Sequence, residues 1–129
     1  VEELDSIRAI YESGPEYQVA DDMNDPDPNT LSTQYTGANY AMNRPVGAEV
    51  KPLNEWNKTR IIVKGPHVEH WLNDRKVVEY ELWSEDWLRR KNLSKWKDSP
   101  YYGIAKEGYI GLQDHGGLTC FRNIKIRRL

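Results

Sequence analysis

The sequence is poor in cysteine, in net charge and in long hydrophobic runs. Its single cysteine, Cys120, excludes an internal disulfide, and the lack of a CxxC pair argues against a thiolate zinc site. The net charge of −2 and the pI near 5.9 argue against a surface for nucleic acid or anionic membranes. No apolar run approaches the roughly 20 residues that span a bilayer. What remains is a globular chain of 129 residues, which its size predicts to be a single domain.

Two aromatic residue types are abundant. The chain has five Trp and eight Tyr against one Phe. Trp and Tyr combine an apolar face with a polar group, so they stack on sugars as well as fill cores. Because most large aromatic side chains are buried, a core role is the first interpretation for any one of them.

Short strand patterns separated by turn residues dominate the chain. Strands are predicted over residues 16–21, 36–42, 57–65, 68–73, 76–82, 108–114 and 120–129. The three central ones form the clearest pattern, an antiparallel meander, and a Pro- and Asp-rich segment over 21–29 predicts a loop. Sequential short strands usually pair, so we predict an all-β fold, an antiparallel β-sandwich or jelly roll with one short helix.

That helix is predicted over residues 84–96. Ser84 fits an N-cap, acidic residues occupy the first turn and basic residues follow. Trp83, Trp87 and Leu88 are predicted to share one side of the helix. We expect it to lie on the surface and to cover one edge of the sandwich.

Polar side chains on the predicted strands are the first candidates for chemistry. Glu16 and Gln18 share one face of their strand, whereas His70 lies on the apolar face of its own. A histidine among aliphatic residues is more often a core residue than a catalyst, so both roles stay open for His70. Asn73–Asp74 fits the two-residue turn of a hairpin, which is a structural role.

A second polar group lies close to the C-terminus. The segment GYIGLQDHGG, residues 108–117, places Gln113, Asp114 and His115 in a row among glycines. It fits either a polar turn or the rim of a site. Arg122 fits a surface ion pair and a ligand contact equally well.

Four blocks of the sequence carry, in this order and spacing, a resemblance to a known family. They are GPEYQVADD, TGANY, NEWNKTRIIVKGPHVEHWLNDRKVVEYE and GYIGLQDHGGLTCFRNIKIRRL. Together they resemble the 3-keto-disaccharide hydrolase domain family, whose members have a concanavalin A-like or laminin-G-like jelly roll. Members usually carry opening strands before the GPEYQ block. The resemblance therefore implies that residues 1–129 are the C-terminal two thirds of a larger jelly-roll domain.

The resemblance also implies an activity, the cleavage of 3-keto-glycosides or 3-keto-disaccharides by proton abstraction and elimination or hydrolysis. Such a reaction needs a base, an acid for the departing oxygen and a positive group near the developing enolate. Glu16 and His70 are the expected base and acid. Lys64, Arg122 or a divalent metal held by Asp, Glu or His is the expected electrophile. The expected substrate-binding residues are Gln18, Tyr40, Trp71, Gln113, Asp114, His115 and Arg122.

Two other classes of protein stay open at this point. A lectin-like carbohydrate-binding module needs stacking aromatics and amides but no acid–base pair, and a structural or adhesive domain needs no cleft. The resemblance implies a periplasmic or secreted location and a carbohydrate ligand. The strands that the chain lacks relative to the family would leave sheet edges unpaired, and unpaired edges promote association.

Overall fold

A three-stranded antiparallel meander forms the centre of the protein. The computed structural model describes residues 9–22 and 31–129. The strands are β1 (Thr59–Lys64), β2 (His67–Leu72) and β3 (Arg75–Glu81), paired in the order β1-β2-β3 and followed by helix α1 (Glu85–Leu93). The predicted meander is confirmed, with strand ends shifted by one or two residues. The described elements are consistent with an all-β class.

The two hairpin turns follow the local sequence. Asn73 and Asp74 have φ angles of 47° and 65°, so both take the left-handed conformation that a two-residue type I′ turn requires. This prediction is confirmed. The first turn is centred on Gly65 and Pro66, one residue earlier than the predicted turn, because Gly65 supplies a positive φ of 59°.

One face of the sheet builds the core. Val68, His70 and Leu72 are buried, and the alternating residues of β2 point to the other face, as the two-residue period requires. An aromatic stack continues the core away from the sheet. The buried hydrophobic cluster comprises Met42, Val68, Leu72, Val77, Val78, Tyr80, Trp87, Trp96 and Tyr102.

Helix α1 begins where the capping pattern predicts. The Ser84 hydroxyl accepts a hydrogen bond from the Trp87 amide, and acidic residues occupy the first turn.

The end and the buried face of the helix differ from the prediction. The helix ends at Leu93, before the predicted end at residue 96. Trp87 is buried but Leu88 is 52% exposed, so the predicted shared face is wrong. Successive helical residues are rotated by about 100°, which prevents neighbours from both facing the core.

Removing the cap should destabilise the protein modestly. We expect Ser84→Ala to lower the free energy of unfolding by about 1 kcal/mol, because the Trp87 amide loses its only side-chain acceptor at the helix start. Chemical denaturation measures the change. Ser84→Asp, which restores an acceptor, should recover most of the loss, and equal destabilisation by both variants would contradict the capping role.

The strands predicted outside the meander are wrong in this structure. Residues 16–21 and 36–42 meet in an isolated bridge, Tyr17 to Asn39, rather than in regular strands. Residues 108–114 and 120–129 are exposed and form no strand. A strand needs hydrogen bonds to a neighbouring backbone. Among the described residues, the bond from the Gly103 amide to the Ser13 carbonyl is the backbone–backbone hydrogen bond furthest along the chain, so it lies before both segments. Among the described residues there is one sheet, so the β-sandwich or jelly roll stays a prediction.

The core side of β1 is largely exposed. Ile61 and Val63 lie on the core side of β1 yet are 52% and 55% exposed, so β1 has little apolar cover among the described residues.

Most of the loop predicted over 21–29 lies outside the described residues. No helix in the described ranges is long and apolar enough to cross a membrane.

Candidate functional site

The segment that carries Glu16 lies antiparallel to the loop that carries Tyr40. The Tyr40 amide donates to the Glu16 carbonyl at 3.0 Å. Two more bonds continue the pairing: the Gln18 amide donates to the Ala38 carbonyl at 3.1 Å, and the Gly37 amide donates to the Gln18 carbonyl at 2.9 Å. These backbone bonds place Glu16 and Tyr40 side by side.

Lys95 lies over two aromatic rings in the same region. Its Nζ is 4.3 Å from the ring centroid of Tyr40 and 4.4 Å from that of Trp96. The Trp96 indole N–H donates to the Tyr40 carbonyl at 3.2 Å, which holds the two rings together. Because an ammonium is attracted to aromatic faces, this pair of rings fixes the Lys95 charge near Glu16.

The Glu16 carboxylate is half-buried, and its burial and its charged neighbours shift its pKa in opposite directions. Burial raises its pKa above the usual value, while the positive charges of Lys95 and His115 pull the pKa down. Perturbed carboxylates of this kind are enriched at functional sites, which makes Glu16 a candidate. The structure thus brings together Glu16 and Tyr40 from the sequence prediction, adds Lys95, and leaves His115 within electrostatic range of Glu16.

Removing the Lys95 charge should move the Glu16 titration. We expect Lys95→Met to raise the pKa of Glu16 further, because desolvation then acts with one opposing cation fewer. NMR titration of the Glu16 side-chain carboxyl measures the shift. Lys97→Met, which removes an exposed ammonium two residues away, is the matched control; an equal shift in both variants would contradict a specific Lys95–Glu16 interaction.

Tyr102 adds a buried hydroxyl to this region. Its ring is fully buried and stacks on Trp96 with a centroid distance of 4.4 Å. Burial raises the pKa of Tyr102 above its usual range, and the nearby Tyr80 and Glu16 raise it further. Among the described residues its hydroxyl has no hydrogen-bond partner. The group is therefore a neutral donor within electrostatic range of the Glu16 carboxylate.

His70 lies in the core, as the apolar face of its strand predicted. It is 2% exposed, and its ring packs against Tyr17 at 4.9 Å and Tyr80 at 5.7 Å between centroids. The Nδ1–H donates to the Gly37 carbonyl at 2.9 Å. Desolvation lowers the pKa of His70 to about 4, so the imidazole is neutral at physiological pH. His70 thereby supports the loop that pairs with Gln18.

Three other predicted residues lie elsewhere on the surface. Lys64 is at the exposed end of β1, opposite His67. The Trp71 indole N–H donates to Glu69 on the outer face of β2. Arg122 stacks on Trp56, with its guanidinium carbon 4.0 Å from the ring centroid. Trp71 and Arg122 therefore contact Glu69 and Trp56, respectively, and Lys64 lies at the end of β1.

The polar row in the C-terminal segment is in part a turn. The Asp114 carboxylate accepts a hydrogen bond from the Gly116 amide at 2.8 Å, and Gly116 has a φ of 87°. The same stretch lines a concavity of about 180 Å³. Its lining residues are Leu112, Gln113, Asp114, Gly117, Thr119 and Phe121. Gln113 and Asp114 thus lie at the rim of a small cleft.

The structure has a second, larger open concavity that the sequence did not predict. It has a volume of about 400 Å³ and is lined by Asp22, Tyr35, Pro45, Gly47, Ala48 and Val50. The Thr36 amide donates to the Asp22 carboxylate at 2.8 Å, and burial raises the pKa of Asp22. A carboxylate beside an aromatic ring is a pairing that suits sugar hydroxyls and sugar faces.

One group of side chains in the described ranges has the composition and spacing to hold a metal ion. Ligand atoms of His67, Glu69 and Glu79 lie within 4.8 Å of one another on the sheet. The sequence pattern alone assigns no metal ligands. The alternation of β2 gave a partial signal, because His67 and Glu69 share the polar face of that strand.

Comparison with known proteins identifies the family. Residues 6–127 match the family described as a 3-keto-alpha-glucoside-1,2-lyase-like domain, and the chain belongs to that family. The resemblance recognised in the four sequence blocks is thereby confirmed.

A curated relative from Bacteroides thetaiotaomicron, named 3-keto-disaccharide hydrolase, is 36% identical over 137 residues, which cover 97% of this chain and 47% of the relative. A crystal structure titled "putative glycosyl hydrolase" from Parabacteroides distasonis is 41% identical with a TM-score of 0.69, over 77% of this chain and 48% of that one. The chain thus spans about half the length of these relatives.

Proposed function

We propose that the protein is an enzyme that cleaves 3-keto-glycosides, including 3-keto-disaccharides. The observation that carries the proposal is the half-buried Glu16 carboxylate, with its raised pKa, next to the fixed charge of Lys95. The family and the name of the Bacteroides relative support the substrate class.

The proposed reaction begins with proton abstraction. A ketone at C3 acidifies the C2 proton because the electron pair left at C2 delocalises onto the C3 oxygen. The Glu16 carboxylate takes that proton, and the C1–O bond to the leaving group then breaks as a C1=C2 double bond forms. The departing oxygen takes up a proton, and water adds across the double bond to complete hydrolysis.

The remaining groups of the region fit the other requirements of this reaction. The Lys95 ammonium is the proposed positive group near the enolate oxygen, in place of Lys64 at the exposed end of β1. His115 is the proposed proton donor to the leaving oxygen. Tyr40 offers a ring face to the sugar, although Lys95 shares that face. His70 is proposed to act through the loop that it holds.

The wider context of the protein is also a proposal. We propose that the meander belongs to a concanavalin A-like jelly roll larger than this chain, and that the protein works in the periplasm or outside the cell. The family resemblance supports the jelly roll, and the Parabacteroides protein, of which this chain covers 48%, supports a larger domain. The proposed location follows only from the family resemblance.

The alternative function is a lectin-like carbohydrate-binding module. The open concavity that pairs Asp22 with Tyr35 favours it, because sugar binding needs a stacking ring and hydroxyl acceptors but no base. Both functions share a carbohydrate ligand. They differ in whether a covalent bond in the ligand breaks.

Release of the leaving group separates the two functions. The full-length protein is incubated with a 3-keto-glucoside that carries a chromogenic aglycone, and the unoxidised glucoside is the matched control. We expect release from the 3-keto compound alone, because only its C2 proton is acidified. Saturable binding of the 3-keto compound without release would favour the lectin-like module.

A further inference from the structure

A cluster of charged side chains occupies the outer face of the sheet, opposite to His70. His67 and Glu69 project from β2, and Glu79 projects from β3 directly opposite Glu69 in the antiparallel register. Carboxylates that face each other across neighbouring strands repel one another. The cluster therefore favours a positive charge between them.

Two of the three distances among the candidate ligand atoms fit a shared ion. The Nε2 atom of His67 is 3.3 Å from Oε1 of Glu69 and 3.3 Å from Oε1 of Glu79. Donor atoms held about 2.1 Å from one ion are separated by roughly 3.0 to 3.4 Å at octahedral and tetrahedral angles. The two distances to Nε2 lie within that interval without any movement of the side chains.

The imidazole is oriented as in a metal-binding histidine. Glu81 Oε1 lies 2.5 Å from His67 Nδ1 and accepts its proton in a hydrogen bond. With Nδ1 facing Glu81, the Nε2 atom of the ring faces Glu69 and Glu79. A carboxylate on the distal nitrogen is the usual partner of a histidine that ligates a metal.

Each candidate carboxylate is also anchored through its second oxygen. The Trp71 indole N–H donates to Oε2 of Glu69 at 2.7 Å, and Lys76 Nζ donates to Oε2 of Glu79 at 2.8 Å. Both Oε1 atoms are thereby left on the side of His67. Lys76 Nζ also lies 3.5 Å from Oε1 of Glu69, so its ammonium is the charge with which an ion would compete.

We propose that His67, Glu69 and Glu79 form a binding site for a divalent transition-metal ion. One imidazole nitrogen and two carboxylate oxygens suit Zn²⁺ or Co²⁺ better than Ca²⁺ or Mg²⁺, which favour oxygen-only shells. The two carboxylates balance the charge of the ion, and three protein ligands leave coordination positions for water. The site lies on the face of β2 opposite His70, and the proposal does not depend on the proposed reaction.

Zinc titration by isothermal calorimetry tests the site. The metal-stripped full-length protein is used in a Cys120→Ser background, because the exposed thiol would bind zinc by itself. We expect saturable binding of one ion per chain that involves these residues. Glu69→Gln, which keeps an acceptor for Trp71, and His67→Gln should each weaken it at least tenfold.

Two comparisons make the test specific. Trp71→Phe keeps the ligands but frees the Glu69 carboxylate, and loss of such a partner typically weakens metal affinity about 10- to 100-fold. Glu49→Gln and His115→Gln remove an exposed carboxylate and an exposed imidazole from other surfaces and should leave the affinity unchanged. No saturable binding, or equal affinity in Glu69→Gln, would overturn the proposal and leave an ion-pair network without a metal.

Discussion

A Glu16→Gln variant is expected to turn over a 3-keto-glucoside with a kcat about 10²- to 10⁴-fold lower than that of the parent protein. The amide keeps the size and a hydrogen-bond acceptor of the carboxylate but cannot take the C2 proton. Because the lost interaction belongs to the transition state, KM should change far less than kcat. Steady-state kinetics of aglycone release measure both constants.

The control for this variant is Glu107→Gln, which neutralises an exposed carboxylate in the segment before the predicted strand at 108–114. It should leave kcat and KM unchanged. Unaltered turnover in Glu16→Gln would remove Glu16 from the catalytic residues and favour the lectin-like function.

Replacing His70 should change stability, with a defined dependence on pH. Its pKa is about 4 in the folded protein and 6.5 without the protein environment, so between these values only the unfolded chain binds the proton. The free energy of unfolding therefore falls as pH drops through this window, by about 3 kcal/mol in all. His70→Gln, which keeps a donor for the Gly37 carbonyl, should abolish this component.

The difference between parent and variant isolates His70 from groups that titrate nearby. Tyr17 and Tyr80, which pack against the ring, have pKa values raised above their usual range and stay neutral in the window. His67 has a raised pKa, and the stability that it contributes is lost as pH rises, so its effect has the opposite sign. Denaturation curves from pH 4 to 7 give the difference, with His115→Gln as the exposed-histidine control.

The same variant separates two roles for His70. If the imidazole acts only by holding the loop at Gly37, kcat per folded molecule stays close to that of the parent protein. If it acts with Glu16 as a catalytic pair, kcat falls as in Glu16→Gln. The loss of log kcat in the double variant is then much smaller than the sum of the losses in the single variants.

For stability, a difference between parent and variant that does not depend on pH would contradict the buried neutral imidazole.

The meander could be predicted because its signals are local. Alternation along β2 assigned Val68, His70 and Leu72 to one face, and Asn73–Asp74 specified the turn. The strands predicted over 108–114 and 120–129 are absent from the structure, although their sequence pattern is similar. Ile124 and Ile126 alternate with basic residues as in a strand, but alternation does not supply the neighbouring backbone that a ladder requires, and both are exposed.

The candidate site was only partly predictable for a related reason. Glu16 and Tyr40 were singled out from sequence blocks, whereas Lys95 lies far from both along the chain. It reaches the Tyr40 ring because Trp96, its neighbour in sequence, packs beside that ring. The sequence stretch around Lys95 was assigned to a helix, and nothing local marks its charge as different from that of Lys97. Such a contact depends on tertiary packing, which periodicity does not encode.

Exchange of the C2 hydrogen tests the central claim most directly. The full-length protein is incubated in D₂O with a 3-keto-glucoside, and the recovered 3-keto sugar is examined by NMR for deuterium at C2. Proton abstraction by Glu16 predicts enzyme-dependent deuterium at C2 that Glu16→Gln loses in proportion to its kcat. Cleavage with the C2 hydrogen fully retained, or exchange that is unchanged in Glu16→Gln, would contradict it.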